Sequence, residues 1–187
     1  MKKIIVGITG ASGTIYAIDL LKRLHRLPQI EIHLVLSSWA QKNLALETNT
    51  SLSEIKQLAD YTYQNQDQGA KIASGSFLTS KMIIVPASMN TIAKINYGIA
   101  DNLITRAADV MLKERRQLII VPRETPFNVT HLENLTHLAK LGVQIIPPIP
   151  AFYNHPHTIQ DLIDHQTMKE LDALGIEHNI GSRWNGD

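Results

Sequence analysis

The residues best spaced for chemistry stand at the ends of apolar runs, and the first of these groups is Gly7-Ile8-Thr9-Gly10-Ala11-Ser12-Gly13. It lies between the apolar run Ile4-Ile5-Val6 and a helical pattern that begins near Thr14. Glycines permit positive φ and close backbone approach, and the unpaired N–H groups and dipole of a helix start attract an anion. A phosphate is the natural guest. A dinucleotide fingerprint reads G-x-G-x-x-G and is followed about twenty residues later by an acid that binds the ribose. Here the glycines fall at Gly7, Gly10 and Gly13, and the second apolar run, Ile30 to Leu36, ends in Ser37-Ser38-Trp39 with no carboxylate. A mononucleotide therefore fits better than NAD. No Lys follows the glycines, which argues against a nucleoside-triphosphate loop.

Other polar clusters occupy matching positions further on. Pro86-Ala87-Ser88-Met89-Asn90-Thr91 follows the run Met82 to Val85 and would face the same crevice as the glycine turn. Arg106 and Lys113 are seven residues apart, two helical turns, so both lie near one face of their helix. Lys113-Glu114-Arg115-Arg116 also reads as a solvated helix end. Leu118 to Val121 runs into Pro122-Arg123-Glu124-Thr125-Pro126, where two prolines present an Arg and a Glu stiffly. That corner is where chemistry is expected. Pro147 to Pro150 would aim Tyr153 at a fixed spot, although packing is the default role for an aromatic. Arg183-Trp184 near the chain end reads as a docking element, with a neighbouring subunit as one candidate.

The elements that must carry these groups follow from periodicity. Apolar runs predict strands near residues 3 to 8, 30 to 37, 82 to 86, 118 to 122 and 143 to 147, with helices between them. A Rossmann-like three-layer α/β fold with a doubly wound parallel sheet is expected, in one domain over residues 1–187. The tail from about 175 to 187 is expected to dock on a neighbouring subunit. Thr158 and Asp161 form an acidic capping box for the last helix, Gly142 stops the helix from His131 to Leu141, and the polar stretch from Asp60 to Gln68 reads as a solvated loop.

Composition narrows the classes. The chain has 187 residues, 44% of them hydrophobic, no cysteine and a formal charge of +1. That charge supplies no field for nucleic acid or an acidic membrane, and thiolate chemistry is excluded. No apolar run approaches the roughly 20 residues of a membrane span, and the N-terminus enters a strand directly, so a cytoplasmic protein is expected. His131 and His137 lack metal-pair spacing, and a metal site is not expected.

Taken together, Gly-Ile-Thr-Gly-Ala-Ser-Gly, Pro-Ala-Ser-Met-Asn-Thr, Thr-Arg-Ala-Ala-Asp-Val-Met-Leu-Lys-Glu-Arg-Arg, Pro-Arg-Glu-Thr-Pro and Pro-Ala-Phe-Tyr resemble the UbiX-type flavin prenyltransferases, in order and spacing, from Lys3 to Trp184. The resemblance implies transfer of a dimethylallyl group from dimethylallyl monophosphate to N5 and C6 of reduced FMN, without a metal. The product would be the cofactor of a UbiD-type decarboxylase. Trimers assembled into dodecamers, with sites shared between subunits, are implied as well.

By position, the resemblance places FMN against Gly10, Ala11 and Ser12, with Ser37, Ser88, Met89, Asn90, Thr91 and Arg123 also on the flavin. Tyr153 and Lys169 would grip the prenyl phosphate, Arg106, Lys113 and Glu124 would close the pocket, and Glu47 and Trp184 would complete it from adjacent chains. Cations at the leaving phosphate stabilise the charge that develops there, and Ser12 and Glu124 are the candidates for moving a proton at the flavin. Many members of the family have Arg where Lys169 stands. A Lys holds phosphate as a point charge, which bears on donor affinity. Two further readings are an FMN-binding small subunit of a phenolic-acid decarboxylase with no catalysis of its own, and oxidative decarboxylation of a peptidyl cysteine. The second relies on an early His that is missing here after the glycine turn.

Overall fold

Continuous burial along the apolar runs builds one parallel sheet, because each strand has apolar side chains to offer on both faces. In a computed structural model that describes residues 1–181, 183, 184 and 186, the strands are β1 (Lys2–Ile8), β2 (Ile30–Leu36), β3 (Tyr61–Gln64), β4 (Lys81–Ala87), β5 (Gln117–Pro122) and β6 (Gln144–Ile145). They are hydrogen-bonded in the order β3-β2-β1-β4-β5-β6, every pair parallel. The helices are α1 (Thr14–Leu24), α2 (Ser38–Glu47), α3 (Leu52–Gln57), α4 (Met89–Asn96), α5 (Leu103–Lys113), α6 (Val129–Lys140) and α7 (Ile159–Leu174).

Ile4, Val6, Leu34, Val85 and Val121 meet α1 and α7 on one face of the sheet, and Ile5, Val35, Ile84 and Ile120 meet α4, α5 and α6 on the other. The expected doubly wound, three-layer α/β fold is what forms. The strand order reverses between β1 and β4, so the crevice lies where their carboxyl ends part. No helix among the described residues is long and apolar enough to cross a membrane.

Three local readings change. The stretch expected to be a solvated loop holds β3, an edge strand that pairs with β2 from His33 to Leu36. Three of its four residues are exposed, so no apolar run announces it. Its signal is the β-favouring Tyr61-Thr62-Tyr63, whose two rings flank the buried His33. β6 is two residues long, because Pro147 and Pro148 cannot extend the ladder. Ile55 and Leu58 predict a short helix beginning at Ser53, and Ser51 starts it instead, as α3, through a capping box with Glu54.

Candidate functional site

At the crevice, a hollow of about 350 Å³ is lined by Thr9, Gly10, Ser37, Trp39, Asn65, Ser88, Asn90, Thr91, Lys94, Asn102 and Ile104. Three of these are helix N-caps. Ser37 accepts the N–H of Ala40 at the start of α2, Ser88 that of Thr91 at the start of α4, and Asn102 that of Thr105 at the start of α5. Three helix N-termini thus open on one space, and their dipoles favour an anion. Lys94 contributes little free charge, since its Nζ lies 2.6 Å from Asp101 Oδ2.

Thr9 joins the ends of β1 and β4. Its Oγ1 donates to Pro86 O at 2.8 Å and accepts from Ser88 N at 2.7 Å. The Pro86 carbonyl is available because the β4–β5 register shifts between Ile84 and Ala87. Asn65, from the polar stretch after β3, closes the other wall: its backbone O accepts from Leu103 N at 2.7 Å and its Oδ1 from Ile104 N at 3.1 Å. Gly10 is required by contact, since a Cβ there would lie 2.5 Å from Trp39 Cβ. Amide, hydroxyl and backbone donors beside Trp39 and Ile104 suit a flat heteroaromatic ring with a phosphate tail.

The glycine turn holds a different anion from the one expected. Gly13 is left-handed (φ 107°), and Glu47 Oε2 accepts the N–H groups of both Gly13 and Thr14, at 2.9 and 3.0 Å. Glu47 therefore completes the turn of its own chain. Burial acts to raise its pKa, but hydrogen bonds from those N–H groups and from the hydroxyls of Ser12 and Thr14 outweigh burial and leave it lowered. Asn43 Nδ2 donates to Ala11 O at 3.1 Å, binding α2 to the same turn. Within Ser88 to Thr91, the Met89 side chain is buried in the core beneath α4, since alternate helix positions cannot all face one hollow.

The remaining candidates form two other groups. Arg106 and Lys113 do share a face, and with Ala73, Ser74, Gly75, Ser76 and Glu114 they line a separate hollow of about 400 Å³. Arg106 bonds Ala73 O at 3.2 Å and Asp109 Oδ2 at 2.7 Å, and Lys113 pairs with Glu114. Within one chain these cations do not reach the glycine turn's hollow. The second group is at α7, where Tyr153 Oη and His165 Nε2 share a hydrogen bond of 3.0 Å and Trp184 stands edge-on to Tyr153, 6.0 Å between centroids. Lys169 is exposed one turn after His165. Burial, and then the charge of Lys169, lower the His165 pKa. His165 escaped the sequence reading, and its position four residues before Lys169 was the available signal.

Arg123 and Glu124 are exposed just beyond β5. Arg123 N donates to Ala87 O at 3.2 Å, which anchors the corner to the end of β4. Among the described residues no three His, Asp or Glu side chains gather as a metal would need.

The family model described as Flavoprotein matches residues 1–168. The chain belongs to the Flavoprotein family. Within it, this flavoprotein is 67% identical over 187 residues to flavin prenyltransferase LpdB of Lactiplantibacillus plantarum, covering 100% of both chains. A dodecameric FMN-dependent UbiX-like decarboxylase from Escherichia coli O157:H7 superposes with a TM-score of 0.97 at 48% identity, covering 98% of this chain and 100% of that one. AnUbiX (PadA1), solved with FMN and dimethylallyl pyrophosphate, superposes at 0.96 with 44% identity, over 99% and 98%. The FMN-dependent cysteine decarboxylase TvaF, at 14% identity and a TM-score of 0.64, shares the fold alone.

Proposed function

We propose that this flavoprotein is a flavin prenyltransferase. It transfers the dimethylallyl group of dimethylallyl monophosphate to N5 and C6 of reduced FMN, and the prenylated FMN serves a UbiD-type decarboxylase. One observation carries the reading: identity of 67% to a flavin prenyltransferase runs the full length of both chains, so no site-bearing segment lies outside the match.

Reduced FMN supplies the nucleophilic ring atoms, and the chain supplies position and charge. Gly10, Ser37, Ser88, Met89, Asn90 and Thr91 would hold the mononucleotide, with Ala11, Ser12 and Arg123 beside it, and the three helix N-termini would favour its phosphate. Tyr153, Lys169 and Trp184 grip the prenyl phosphate. Arg106 and Lys113 offset the charge that gathers on the departing phosphate oxygen as the allylic C–O bond breaks. Glu124 and Ser12 move a proton at the flavin edge, and Glu47 fixes the turn that carries Ser12.

Because Arg106 and Lys113 line their own hollow, they act on the flavin of a neighbouring subunit in a trimer-based, dodecameric homo-oligomer. The tail from about 175 to 187, of which residues 182, 185 and 187 lie outside the described residues, presents Trp184, 65% exposed beside Tyr153 of its own chain, to that neighbour. The protein acts in the cytoplasm, without nucleic acid or membrane.

Anaerobic incubation of the pure protein with reduced FMN and dimethylallyl monophosphate is expected to yield a flavin of higher mass. If no such species forms, the enzyme reading fails and an FMN-carrying decarboxylase subunit stands in its place. Full prenylation by Glu124→Gln or Lys113→Ala would show the assignment of the pocket to be wrong.

A further inference from the structure

His165, Lys169 and Asp172 share one face of α7, since residues four and three positions apart lie above one another on a helix. The two outer members are each tied to a different segment. His165 bonds Tyr153 at the end of the proline-rich segment. Asp172 takes a two-pronged bond from Arg183 in the tail, with Nη2 to Oδ1 at 2.7 Å and Nη1 to Oδ2 at 3.0 Å. His178 Nε2 braces the same Oδ1 at 3.1 Å, and Ile180 N donates to His178 Nδ1 at 3.3 Å.

The next residue after Arg183 is Trp184, whose indole returns to Tyr153. The contacts close a ring from Tyr153 to His165, along α7 to Asp172, across to Arg183 and back through Trp184. Lys169 lies on the helix face inside that ring. Trp184 is 65% exposed, so burial does not hold its indole in place. A planar guanidinium on a carboxylate fixes orientation as well as distance.

We propose that Asp172 is a positioning residue for the donor half of the site: by gripping Arg183 it holds the Trp184 indole against Tyr153 beside Lys169, and so governs affinity for the prenyl phosphate without touching it. This rests on the prenyltransferase reading above. FMN occupies the other hollow, formed by other strand ends, so its binding is independent of the ring.

The test compares Asp172→Asn, Asp172→Glu and Arg183→Gln with the wild type. The asparagine variant is expected to raise the KM for dimethylallyl monophosphate about tenfold, with the KM for FMN within about twofold. The glutamate variant, which keeps a carboxylate, recovers most of the loss. Acrylamide quenching of tryptophan emission rises in Asp172→Asn as the indole is released. Arg183 is more than half exposed, so its Gln variant folds and carries the test even where an α7 variant does not. A donor KM within about twofold of wild type in both Asp172→Asn and Arg183→Gln, or an equal rise in both KM values, overturns the proposal. Unchanged quenching overturns the clamp while leaving the prenyltransferase reading in place. Absence of prenylated flavin from the wild type overturns that reading and the donor role together.

Discussion

Glu47 Oε2 lies 2.9 Å from Gly13 N and 3.0 Å from Thr14 N, so a carboxylate of the same chain closes the helix start that a phosphate was expected to fill. The starts of α2, α4 and α5 open on the crevice beside it. The glycine turn supplies shape, and neighbouring helices supply the field.

Replacing Glu47 by Ala leaves those two N–H groups without their partner and is expected to cost about 1 kcal/mol, as loss of a helix cap does. Its pH dependence has a definite sign. A carboxylate with a lowered folded pKa stabilises above its unfolded value, near 4.5, and loses that contribution as pH falls through the folded value. Urea melts of wild type and Glu47→Gln should therefore differ at pH 7 and converge in acid. A constant difference would contradict the assignment.

Thr9→Val removes both Oγ1 bonds between the ends of β1 and β4, keeps the backbone bond from Thr9 N to Pro86 O, and leaves Ser88 N without its partner. A loss of roughly 1–3 kcal/mol is expected on thermal unfolding, with weaker FMN binding by fluorescence titration. Normal FMN affinity would place the flavin away from this wall.

Glu170 is fully buried on α7, with Oε1 accepting from Gln166 Nε2 at 2.9 Å and Oε2 unpartnered among the described residues. Burial pushes its pKa up to about 8, so it stays protonated at neutral pH. Between about pH 4.5 and 8 the unfolded chain ionises this group while the folded chain retains its proton, and stability falls as pH rises. Glu170→Gln is expected to flatten that decline and raise Tm at pH 8 by roughly 3 °C or more, read by calorimetry at several pH values.

The separation of the Arg106–Lys113 hollow from the crevice predicts complementation between chains. Lys113→Ala and Glu124→Gln are each expected to be inactive alone, and their co-expression should restore up to about a quarter of the sites, those drawing one intact residue from each parent. No recovery in mixed oligomers would mean that both residues act on one chain.

Lys169→Arg replaces a point charge by a fork that suits phosphate. The KM for dimethylallyl monophosphate is expected to fall severalfold, with the KM for FMN unchanged. A rise would show that the smaller ammonium is what the donor pocket fits.

Much of the scaffold was legible because it depends on local pattern. The runs that became β1, β2, β4 and β5, the Thr158–Asp161 capping box and the Gly142 stop all stand where periodicity and capping chemistry put them. β3 was not legible, since an edge strand needs only one partner's backbone and its exposed side chains carry no apolar alternation. The burial of the Met89 side chain was hidden for a related reason: membership of a polar motif does not tell which way a helical side chain points.

The chain's order of residues by itself determined which strand ends carry hydroxyls, amides, an Arg and a Glu, because turn and strand preferences act over a few neighbours. Only the tertiary structure decided that Glu47 folds back on the turn 34 residues earlier, that Asn65 caps α5, and that Arg106 and Lys113 face away from the crevice. Those outcomes depend on how helices pack across a twisted sheet, where a rotation of one helix face sends a side chain to a different space, and no short stretch of sequence encodes that rotation.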